Sequence, residues 1–591
     1  MNMTTFERRL REALEWIVRL PLVGESELAR LLGIDGVDAR HLRFELDRRG
    51  YVDCIAPAVV GLDEQRHAAF LRPEALEHLA ACSGFPEQEI VRRAPVRRAD
   101  LLDRVPRIET VTGVNRLLAE LAAALRDRGE AALADACSLP LGLATGRWWP
   151  QGVDAYGVVR KGQRSAPFFV AWDRAGAPDL HRCERVRRWA RGGTDAAAVI
   201  LVVCASTGTR EVWERELERW YGRTEVRLTT VAEVLAAGPR SAIWSAPGSS
   251  ERIGFEQAVI WHDAPVEPLL AFPASMKLPP IVTGAARLRE WAARAATTMN
   301  RASLRERVAV LALATSADEK CCLEWLARHP RLSVSQLAAF LDAPVELLRR
   351  RFERLARCHA VQPTTDGSGN DLWIATVLTL RLLAAAEGVP WRRFKPNGAV
   401  SAPGADGAAI RRRSMAHELG INRVFTQIAV DARVSGWRLG VWRNEAETSH
   451  HFSHDGRQAW IRPDGSGALV VRGASRPFLL EYDRGTLDGG DFDEKFAAYR
   501  RYYAAQAWRA HFSTEPTLLF VCADDRAERR VVEAARRRAS ELPLWLTCEW
   551  RFTTDPRNAC GLFGAVWRDL EGRGSRHQLF PSRGETSEAM S

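Results

Sequence analysis

The sequence predicts a multi-domain α/β protein in which one two-domain arrangement occurs twice. At 591 residues the chain is too long for one hydrophobic core. Apolar residues at helical spacing alternate with short apolar runs typical of strands, and blocks of sequence recur about 310 residues apart. Hydrophobic and charged residues make up 46% and 27% of the chain, which is ordinary for a globular protein.

The recurring blocks keep their order along the chain. Residues 26–46 align without a gap to 335–355, and 166–174 align to 476–484. The same order holds for further pairs of segments: 113–116 with 420–423, 200–205 with 518–523, and 242–244 with 565–567. Chance similarity between helices would not preserve this order, so the sequence predicts a tandem duplication.

Each half begins with the pattern of a winged helix-turn-helix. The first half has a short helix at 25–32, a turn at 33–36, a helix at 37–49 and a strand at 51–55. The second half has helices at 334–341 and 344–357, a wing at 363–370 and a strand at 372–375. The helices at 37–49 and 344–357 therefore stand where such a domain carries its DNA-recognition helix.

The outer faces of the helices at 37–49 and 344–357 are rich in arginine. These residues are the candidate DNA contacts: Arg40, Arg43, Arg48 and Arg49 in the first half, and Arg349, Arg350, Arg351 and Arg354 in the second. Guanidinium groups suit phosphates and guanine edges in the major groove of double-stranded DNA. The alternative is a solvated basic face on a winged helix that binds another protein.

In each half, the sequence that follows the winged helix predicts a mixed sheet between helices. In the second half a helix at 415–435 precedes strands at 437–442, 459–462, 467–471 and 477–483. A helix at 492–507, a strand at 517–522, a helix at 526–541 and a strand at 544–552 follow. This order predicts an α/β sandwich.

Acidic residues and one lysine cluster on this predicted sheet. Glu481 and Asp483 lie two apart on one strand and so share a face, Asp464 ends a neighbouring segment, and Lys495 begins the next helix. Converging carboxylates suit Mg²⁺, and an ammonium can position water or stabilise a charged transition state. Asp464, Glu481 and Asp483 are the candidate metal ligands, with Lys495 as a fourth catalytic residue.

Simpler interpretations of these residues stay open. Asp483 with Arg484 could be an ion pair at the strand end, and Lys495 could be a solvated residue of the first helical turn. Lys495 is, however, one of only five lysines in the chain. His417 fits a capping or packing role, and most of the 20 tryptophans fit core positions better than base-stacking ones.

The second-half sandwich resembles the PD-(D/E)XK nuclease superfamily. Its PD occurs literally as Pro463-Asp464. Asp483 stands where the family pattern has lysine, and Lys495 matches the position of members that supply lysine from the following helix. The resemblance implies a metal-dependent phosphodiesterase centre at these residues.

A closer resemblance is to the replication-relaxation family, which pairs a winged helix with such a domain. The blocks that carry it are HELGINRVF (417–425), RPDG (462–465), FLLEYDRGT (478–486), KFAAYRRYY (495–503) and GLFGAVWR (561–568). The family implies a role in replication, mobilisation or relaxation of plasmid or integrative-element DNA, alongside replication or mobilisation proteins. A tyrosine relaxase centre is not expected, because no H-x-H cluster stands near Tyr499, Tyr502 or Tyr503.

The first half lacks part of the acidic set. Asp154 and Asp173 align with Asp464 and Asp483, but Ala171 replaces Glu481 and Arg185 replaces Lys495. Loss of one carboxylate and of the amine would weaken a metal site. The first sandwich is therefore predicted to be inactive.

The composition of the chain limits its expected partners, its metal and disulfide chemistry, and its cellular location. A net charge of +10 and a pI near 9.3 favour polyanionic partners. The 11 cysteines include no C-x-x-C pair, so neither a disulfide scaffold nor structural zinc is expected. The longest apolar run (196–205) is too short to span a bilayer and no signal peptide is visible, so a cytoplasmic protein without a membrane partner is expected.

The predicted domain boundaries follow from these patterns: winged helices at 1–83 and 303–392, sandwich domains at 108–270 and 414–570, a basic linker at 84–107, linkers at 271–302 and 393–413, and a disordered tail at 571–591. Three functions fit. The first is a non-catalytic DNA-binding protein whose two halves act as a pseudo-dimer. The second is a Mg²⁺-dependent nuclease or nickase with one centre, and the third is a protein-interaction scaffold.

Overall fold

A computed structural model gives the fold of most of the chain. The described residues are 3–56, 67–94, 96–127, 129–138, 152–174, 176–177, 179–191, 198–218, 225–263, 270–281, 287–288, 290, 292, 302–365, 371–389, 391, 405–471, 474–486, 489–553, 561–570 and 575–579. The chain divides into two compact units. The first is Met1–Cys321 with Val377–Arg393, and the second is Cys322–Thr376 with Phe394–Ser591.

The first unit begins with three helices and a small sheet at the predicted positions. The elements are α1 (Met3–Arg19), β1 (Val23–Gly24), α2 (Glu25–Leu32), α3 (Gly36–Arg48), β2 (Val52–Ile55) and β3 (Ala68–Leu71). Asp35 caps α3 by accepting a hydrogen bond from the Asp38 N–H at 2.8 Å. Leu42 and Leu46 bury the inner face of α3, and Arg40 and Arg48 are exposed on other sides of the helix.

The segment 84–107, predicted as a basic linker, is helical instead. It contains α5 (Glu87–Arg93) and α6 (Arg98–Arg104), after α4 (Leu76–Ser83). Both helices carry acidic residues in the first turn and arginine in the last, which complements the helix dipole. Ile90, Leu101 and Leu102 are buried, so this charged segment has enough apolar surface to pack.

A five-stranded sandwich completes the first half. Its elements are α7 (Ile108–Arg126), β4 (Ala132–Ser138), β5 (Ala155–Lys161), β6 (Arg164–Trp172), α8 (Asp179–Arg191), β7 (Val199–Cys204), α9 (Thr207–Glu218), β8 (Val226–Thr230), α10 (Val231–Ala237) and α11 (Phe255–Ala258). The strand order is β4-β5-β6-β7-β8, with two antiparallel pairings followed by two parallel ones. Every residue of β7 is buried, as expected for a central parallel strand.

The described part of the predicted linker 271–302 is packed. Leu270, Phe272, Met276 and Leu278 are buried in the core of the first unit. Arg49 donates a hydrogen bond to the Leu278 carbonyl at 2.7 Å. The linker prediction is wrong here because apolar side chains spaced through the proline-rich stretch 270–281 cover the core, although that stretch itself contains no helix or strand.

The second half repeats the helical start. Its elements are α12 (Leu304–Ala314), α13 (Ala317–Arg328), α14 (Val334–Leu341), α15 (Val345–Arg357), β9 (Val361–Thr365), β10 (Asp371–Ala375) and α16 (Val377–Glu387). Of these, α12 and α16 belong to the first compact unit. The strands β9 and β10 pair antiparallel. Part of the predicted wing, 366–370, lies outside the described residues.

The second sandwich follows. Its elements are α17 (Ala405–Val434), β11 (Arg438–Asn444), β12 (His450–His454), β13 (Arg457–Ile461), β14 (Gly465–Val471), β15 (Ala474–Asp483), α18 (Gly489–Ala504), β16 (Thr517–Cys522), α19 (Asp525–Arg538), β17 (Leu544–Cys548), α20 (Glu549–Thr553), β18 (Ala565–Trp567) and β19 (His577–Gln578). The main sheet has the order β11-β14-β15-β16-β17, and β12 with β13 forms a separate hairpin.

Three sequence predictions in this domain need correction. Helix α17 begins at Ala405, so the end of the predicted linker 393–413 is helical, in keeping with its alanines and arginines. The last predicted strand stops at Cys548, where α20 begins. Residues 459–462, predicted as part of the sheet, belong to the hairpin. Of the predicted tail 571–591 only residues 575–579 are described, and they include β19.

The two sheets share order and strand orientation. In both, the first two pairings are antiparallel, the first of them contains a register shift, and the last two are parallel. Asn115 donates to the Pro21 carbonyl at 3.2 Å, and Asn422 donates to the Pro330 carbonyl at 3.0 Å. The mixed α/β, multi-domain class is therefore confirmed, and equivalent positions of the two halves can be compared. Among the described residues, no helix is both long and apolar enough to cross a membrane.

Candidate functional site

Asp464 is held by two elements of the second sandwich. It lies directly before β14 and accepts a hydrogen bond from the Tyr482 N–H on β15 at 2.8 Å. His417 on α17 places Nε2 2.9 Å from the other carboxylate oxygen. The backbone of one strand and the side chain of one helix thus determine where this carboxylate points.

Glu481 is the most buried member of the same cluster, with 1% of its surface exposed. Lys495 places Nζ 2.5 Å from one carboxylate oxygen, and the Tyr499 hydroxyl donates to the other. Lys495 and Tyr499 lie four residues apart on α18 and so share one face of that helix. The chain therefore brings an amine and a phenol from α18 onto a carboxylate of β15.

The charges of this pair are strongly coupled. Burial raises the pKa of Glu481 to about 7, helped by the charge of Asp464 and opposed by Lys495. Burial alone would lower the pKa of Lys495, but the carboxylates of Glu481, Asp464 and Asp483 outweigh it and raise that pKa. Lys495 is consequently a persistent cation that acts on all three predicted acidic residues.

The His417–Asp464 pair favours the ionic state. Burial opposes the imidazolium, but the hydrogen bond to Asp464 and the charges of Asp464 and Glu481 raise the pKa of His417. Burial also opposes the Asp464 carboxylate, yet His417 and Lys495 lower its pKa. Asp464 is thus kept ionised inside the protein, whereas burial and the charge of Asp464 raise the pKa of Glu481.

Asp483 occupies the edge of the cluster. One carboxylate oxygen accepts a hydrogen bond from the Gly485 N–H at 2.9 Å, and the other is buried without a hydrogen-bond partner. The ligand atoms of Asp464, Glu481 and Asp483 do not lie within 4.8 Å of one another in this arrangement. Glu481 turns to α18 while Asp483 turns to its own loop, so sharing a strand face did not bring the two carboxylates to one point.

A different trio meets that distance in the described part of the chain: Asp525, Glu528 and Cys548. Arg551 binds Asp525 at 2.6 Å and Arg576 binds Glu528 at 2.7 Å. Burial and the two carboxylates raise the pKa of the Cys548 thiol, which therefore keeps its proton. These residues form an internal charge network and carry no argument for Mg²⁺.

The equivalent place in the first half is filled by arginine. Asp154 accepts a hydrogen bond from the Trp172 N–H at 2.8 Å, the same contact that Asp464 makes with Tyr482. Arg107 binds one oxygen of Asp154, and Arg185 binds the other at 2.7 Å. Two guanidinium groups thus neutralise the carboxylate directly.

The other two first-half positions also lack free acidic groups. Ala171 occupies the β6 position that corresponds to Glu481 on β15, and both pair with the next strand at the same register. Asp173 is buried against Arg182 at 2.9 Å. The two first-half carboxylates are held in ion pairs with arginine, and the inactivity of this domain stays a prediction.

The predicted DNA contacts on α3 differ in accessibility. Arg43 binds Glu25 at 2.8 Å, Arg49 binds Glu7 at 2.7 Å, and only 14% and 13% of these side chains are exposed. Arg40 and Arg48 are exposed, although each contacts a carboxylate. Arg40 and Arg48 are therefore the two of this set that could reach a ligand without breaking a buried ion pair.

The arginines of α15 are more exposed to solvent than those of α3. Of the Arg349 side chain 52% is exposed and of Arg350 76%, and their contacts with Glu346 are long, at 3.6 and 3.4 Å. Arg351 and Arg354 are half-buried, whereas Arg357, which is not among the predicted DNA contacts, is exposed. Helix α15 thus offers a broader basic surface than α3.

Sequence reasoning missed two residues of the acidic cluster. From the sequence, His417 fits capping or packing, and Tyr499 enters only as a candidate relaxase nucleophile. The signal for both is their place in the sequence blocks 417–425 and 495–503, since the i, i+4 spacing of Lys495 and Tyr499 aligns them on one helix face.

The molecule is a multi-domain α/β protein with a buried acid–amine cluster on one sandwich and an exposed arginine face on a helix of the same half. A model of the replication-relaxation family matches residues 323–518, which include α15, Asp464, Glu481 and Lys495. This match supports the resemblance seen in the sequence for about a third of the chain. No curated protein and no solved structure matches the chain.

Proposed function

We propose that the protein is a tandem duplication of a winged helix followed by a PD-(D/E)XK-like sandwich. The same strand order, the same bulged first pairing and the paired asparagine–proline contacts support common ancestry of the halves. Each half has three helices and an antiparallel hairpin in the order that a winged helix requires. The two halves would then act as a pseudo-dimer within one chain.

On this basis we infer a DNA-binding function in replication, mobilisation or relaxation of a plasmid or integrative element. The observation that carries the inference is the family match, because it covers both the basic helix α15 and the acidic cluster. A net charge of +10 agrees with a polyanionic partner. Replication or mobilisation proteins are the expected partners of such a complex.

Helix α15 is the proposed recognition helix. Its inner face is closed by Leu348, Phe352 and Leu355, so Arg349, Arg350 and Arg357 project outward. Exposed guanidinium groups release counterions when they neutralise phosphates, and this supplies affinity that depends on salt. Removing one arginine that binds a phosphate should therefore reduce the slope of log K against log salt by about 1.

Fluorescence anisotropy with a labelled DNA duplex tests this proposal. Arg349→Ala and Arg350→Ala should weaken binding at all sequences and reduce the salt slope. Arg92→Ala is the matched control, because Arg92 is an equally exposed arginine on α5 with a glutamate neighbour. Equal effects of the three variants would contradict a specific role for α15, and no binding to any DNA would favour a protein-interaction scaffold instead.

A second candidate function is Mg²⁺-dependent cleavage of DNA at the cluster around Glu481. The observation in its favour is the Lys495 amine, held 2.5 Å from Glu481 and acting electrostatically on Asp464. The oxygen donors of Asp464 and Glu481 suit Mg²⁺, which would activate water and neutralise developing charge on the phosphate. Asp483 is the third predicted ligand; its unpartnered buried oxygen lies apart from the other two carboxylates, so its side chain would have to turn toward Glu481 to bind the same ion.

Within that reaction the protein groups would have separate tasks. Lys495 would orient the attacking water and stabilise negative charge, while Tyr499 would hold the Glu481 carboxylate in place. His417 would hold Asp464 ionised and correctly oriented, since it contacts the outer carboxylate oxygen. The hydrolysed phosphodiester bond would leave one strand end with a free hydroxyl and the other with a phosphate.

Incubation of supercoiled plasmid with protein, in Mg²⁺ or in chelator, separates the two candidates. Nicking that needs Mg²⁺ and disappears in Asp464→Asn and Glu481→Gln would support a nuclease. Asp154→Asn is the matched control, because it alters the equivalent carboxylate of the arginine-filled first half. DNA binding without cleavage in any condition would leave the non-catalytic function.

A further inference from the structure

The hairpin of β12 and β13 has two different faces. His450, Phe452 and Ile461 face inward and are buried or half-buried, whereas His451, Ser453, Gln458 and Trp460 are exposed. This alternation is the pattern of a two-stranded sheet with one solvated face. A tryptophan on the solvated face is the exception, because an indole normally covers apolar surface.

Trp460 is among the most exposed large apolar side chains in the described residues, with 55% of its surface accessible. It pairs directly with His451 across the strands. Directly opposed residues lie close enough for their rings to form one surface. The outer face of the hairpin therefore presents two adjacent rings to solvent.

The inner face attaches the hairpin to the acidic cluster. His450 Nδ1 lies 2.9 Å from the Tyr502 hydroxyl, and the Phe452 ring contacts the Tyr502 ring edge to face at 5.5 Å. Tyr502 is on α18, the helix that carries Lys495 and Tyr499. Because the hairpin packs on this helix, its outer face has a defined position relative to the amine.

The hairpin also leads directly into Asp464. Asp464 is four positions after Trp460 in the chain, a span of at most about 14 Å. Arg457 is exposed at the turn, and Arg462, which pairs with Glu445, is exposed directly after β13. The rings thus lie between basic residues, within about two nucleotide steps of the acidic cluster.

We propose that this face binds an unpaired DNA strand, with bases stacked on Trp460 and His451 and phosphates near Arg457 and Arg462. The inference rests on the proposed DNA function and specifies its substrate as single-stranded or locally opened DNA. Aromatic rings stack on bases of any sequence, but the base faces are covered in a duplex. Two exposed rings at directly paired strand positions suit an opened strand rather than an intact helix.

The position of the hairpin explains what this contact would do. A strand held by its bases on the hairpin presents its neighbouring phosphodiester to the cluster of Asp464, Glu481 and Lys495. Isolated exposed tryptophans are common on protein surfaces. Here, however, the tryptophan is combined with an exposed ring across the strand, flanking arginines and a direct link to the acidic cluster.

Binding in chelator, where no cleavage can occur, tests the proposal on the full chain. Trp460→Ala should weaken binding of a single-stranded oligonucleotide roughly 5- to 150-fold, the range for loss of one stacked base. Trp460→Phe should keep most of the affinity because it keeps a ring. Val434→Ala is the control for loss of an exposed apolar side chain, and duplex binding should not change in any of the three variants.

Photocrosslinking of single strands that carry 5-iodouracil gives a second readout independent of folding. The expected result is crosslinked peptides containing His451 or Trp460, which disappear in Trp460→Ala. Unchanged single-strand affinity in Trp460→Ala, or crosslinks confined to other segments, would overturn this inference while leaving duplex binding intact. If wild-type protein bound neither single strands nor duplexes, the proposed DNA function would fail as well.

Discussion

Gly420 on α17 must have no side chain, and this allows a sharp test of the fold around the acidic cluster. A methyl group at this position would lie 2.0 Å from Cε1 and 2.2 Å from Cζ of Tyr482. Carbon atoms pack best at about 3.5 Å or more, so the ring would have to move by about 1.5 Å. Gly420→Ala is therefore expected to destabilise the second unit.

The Tyr482 ring cannot move freely, and this determines how much stability Gly420→Ala should lose. The Tyr482 N–H is bound to Asp464 at 2.8 Å and its hydroxyl to Glu549 at 2.7 Å. Overpacking of this kind costs up to about 3 kcal/mol, while alanine in a helix gains about 1 kcal/mol over glycine. The net loss is about 2 kcal/mol, or a fall in Tm of about 4–8 °C for a domain of this size.

Calorimetry and urea unfolding of the full chain measure this loss. Gly113→Ala is the matched variant, because its methyl group would lie 2.1 Å from Trp172 in the first half. Gly208→Ala on α9 should be neutral or stabilising, because its methyl group would meet only the Ser206 Oγ at 3.9 Å. Both close-packed variants should lose stability, but only Gly420→Ala should disturb DNA cleavage if the second half is catalytic. A Gly420→Ala protein as stable as wild type would refute the packing described here.

Three further changes test individual contacts. Burial raises the pKa of Glu418 from 4.5 to about 7. The stability that Glu418 contributes is therefore fully present below pH 4.5 and is lost as the pH rises through 7. In urea titrations at a series of pH values, the unfolding free energy of wild type should fall over this interval by about 3 kcal/mol relative to that of Glu418→Gln. Asn422→Ala should cost about 1 kcal/mol by deleting the hydrogen bond to Pro330, and an unchanged urea midpoint would contradict that contact. Arg182→Met should cost about 3–5 kcal/mol because it leaves Asp173 buried without its cation, and an effect below about 1 kcal/mol in the same assay would argue against a buried pair.

The repeated sequence blocks predicted the shared sheet topology well. The pairs 166–174 with 476–484 and 200–205 with 518–523 became equivalent strands in equivalent parallel pairings. Strands that are buried on both faces must be continuously apolar, so their pattern is readable without a structure. The errors fell on charged helices such as α5 and α6 and on the packed segment 270–281, where burial depends on distant residues.

The acidic cluster was predictable by residue type but not by geometry. Glu481 and Lys495 stand out from their spacing and from the scarcity of lysine. The contact between them depends on how α18 packs on β15. The roles of His417 and Tyr499 also required the tertiary structure, because each acts on a carboxylate more than 15 residues away in the chain. Asp483 shares a strand face with Glu481, but its carboxylate contacts Gly485 in its own loop while Glu481 contacts α18. The alternation of residues along a strand predicts the shared face but not these different partners.

What the sequence by itself determined is the order of elements, the α/β class and the residues able to hold charge. These follow from local chemistry: apolar periodicity, turn residues and residue type. Only the tertiary structure decided how each carboxylate is paired, since Asp154 forms ion pairs with two arginines while Asp464 contacts one histidine. The reason is physical, because the energy of a buried charge depends on every neighbour that folding brings to it, and those neighbours are remote in sequence.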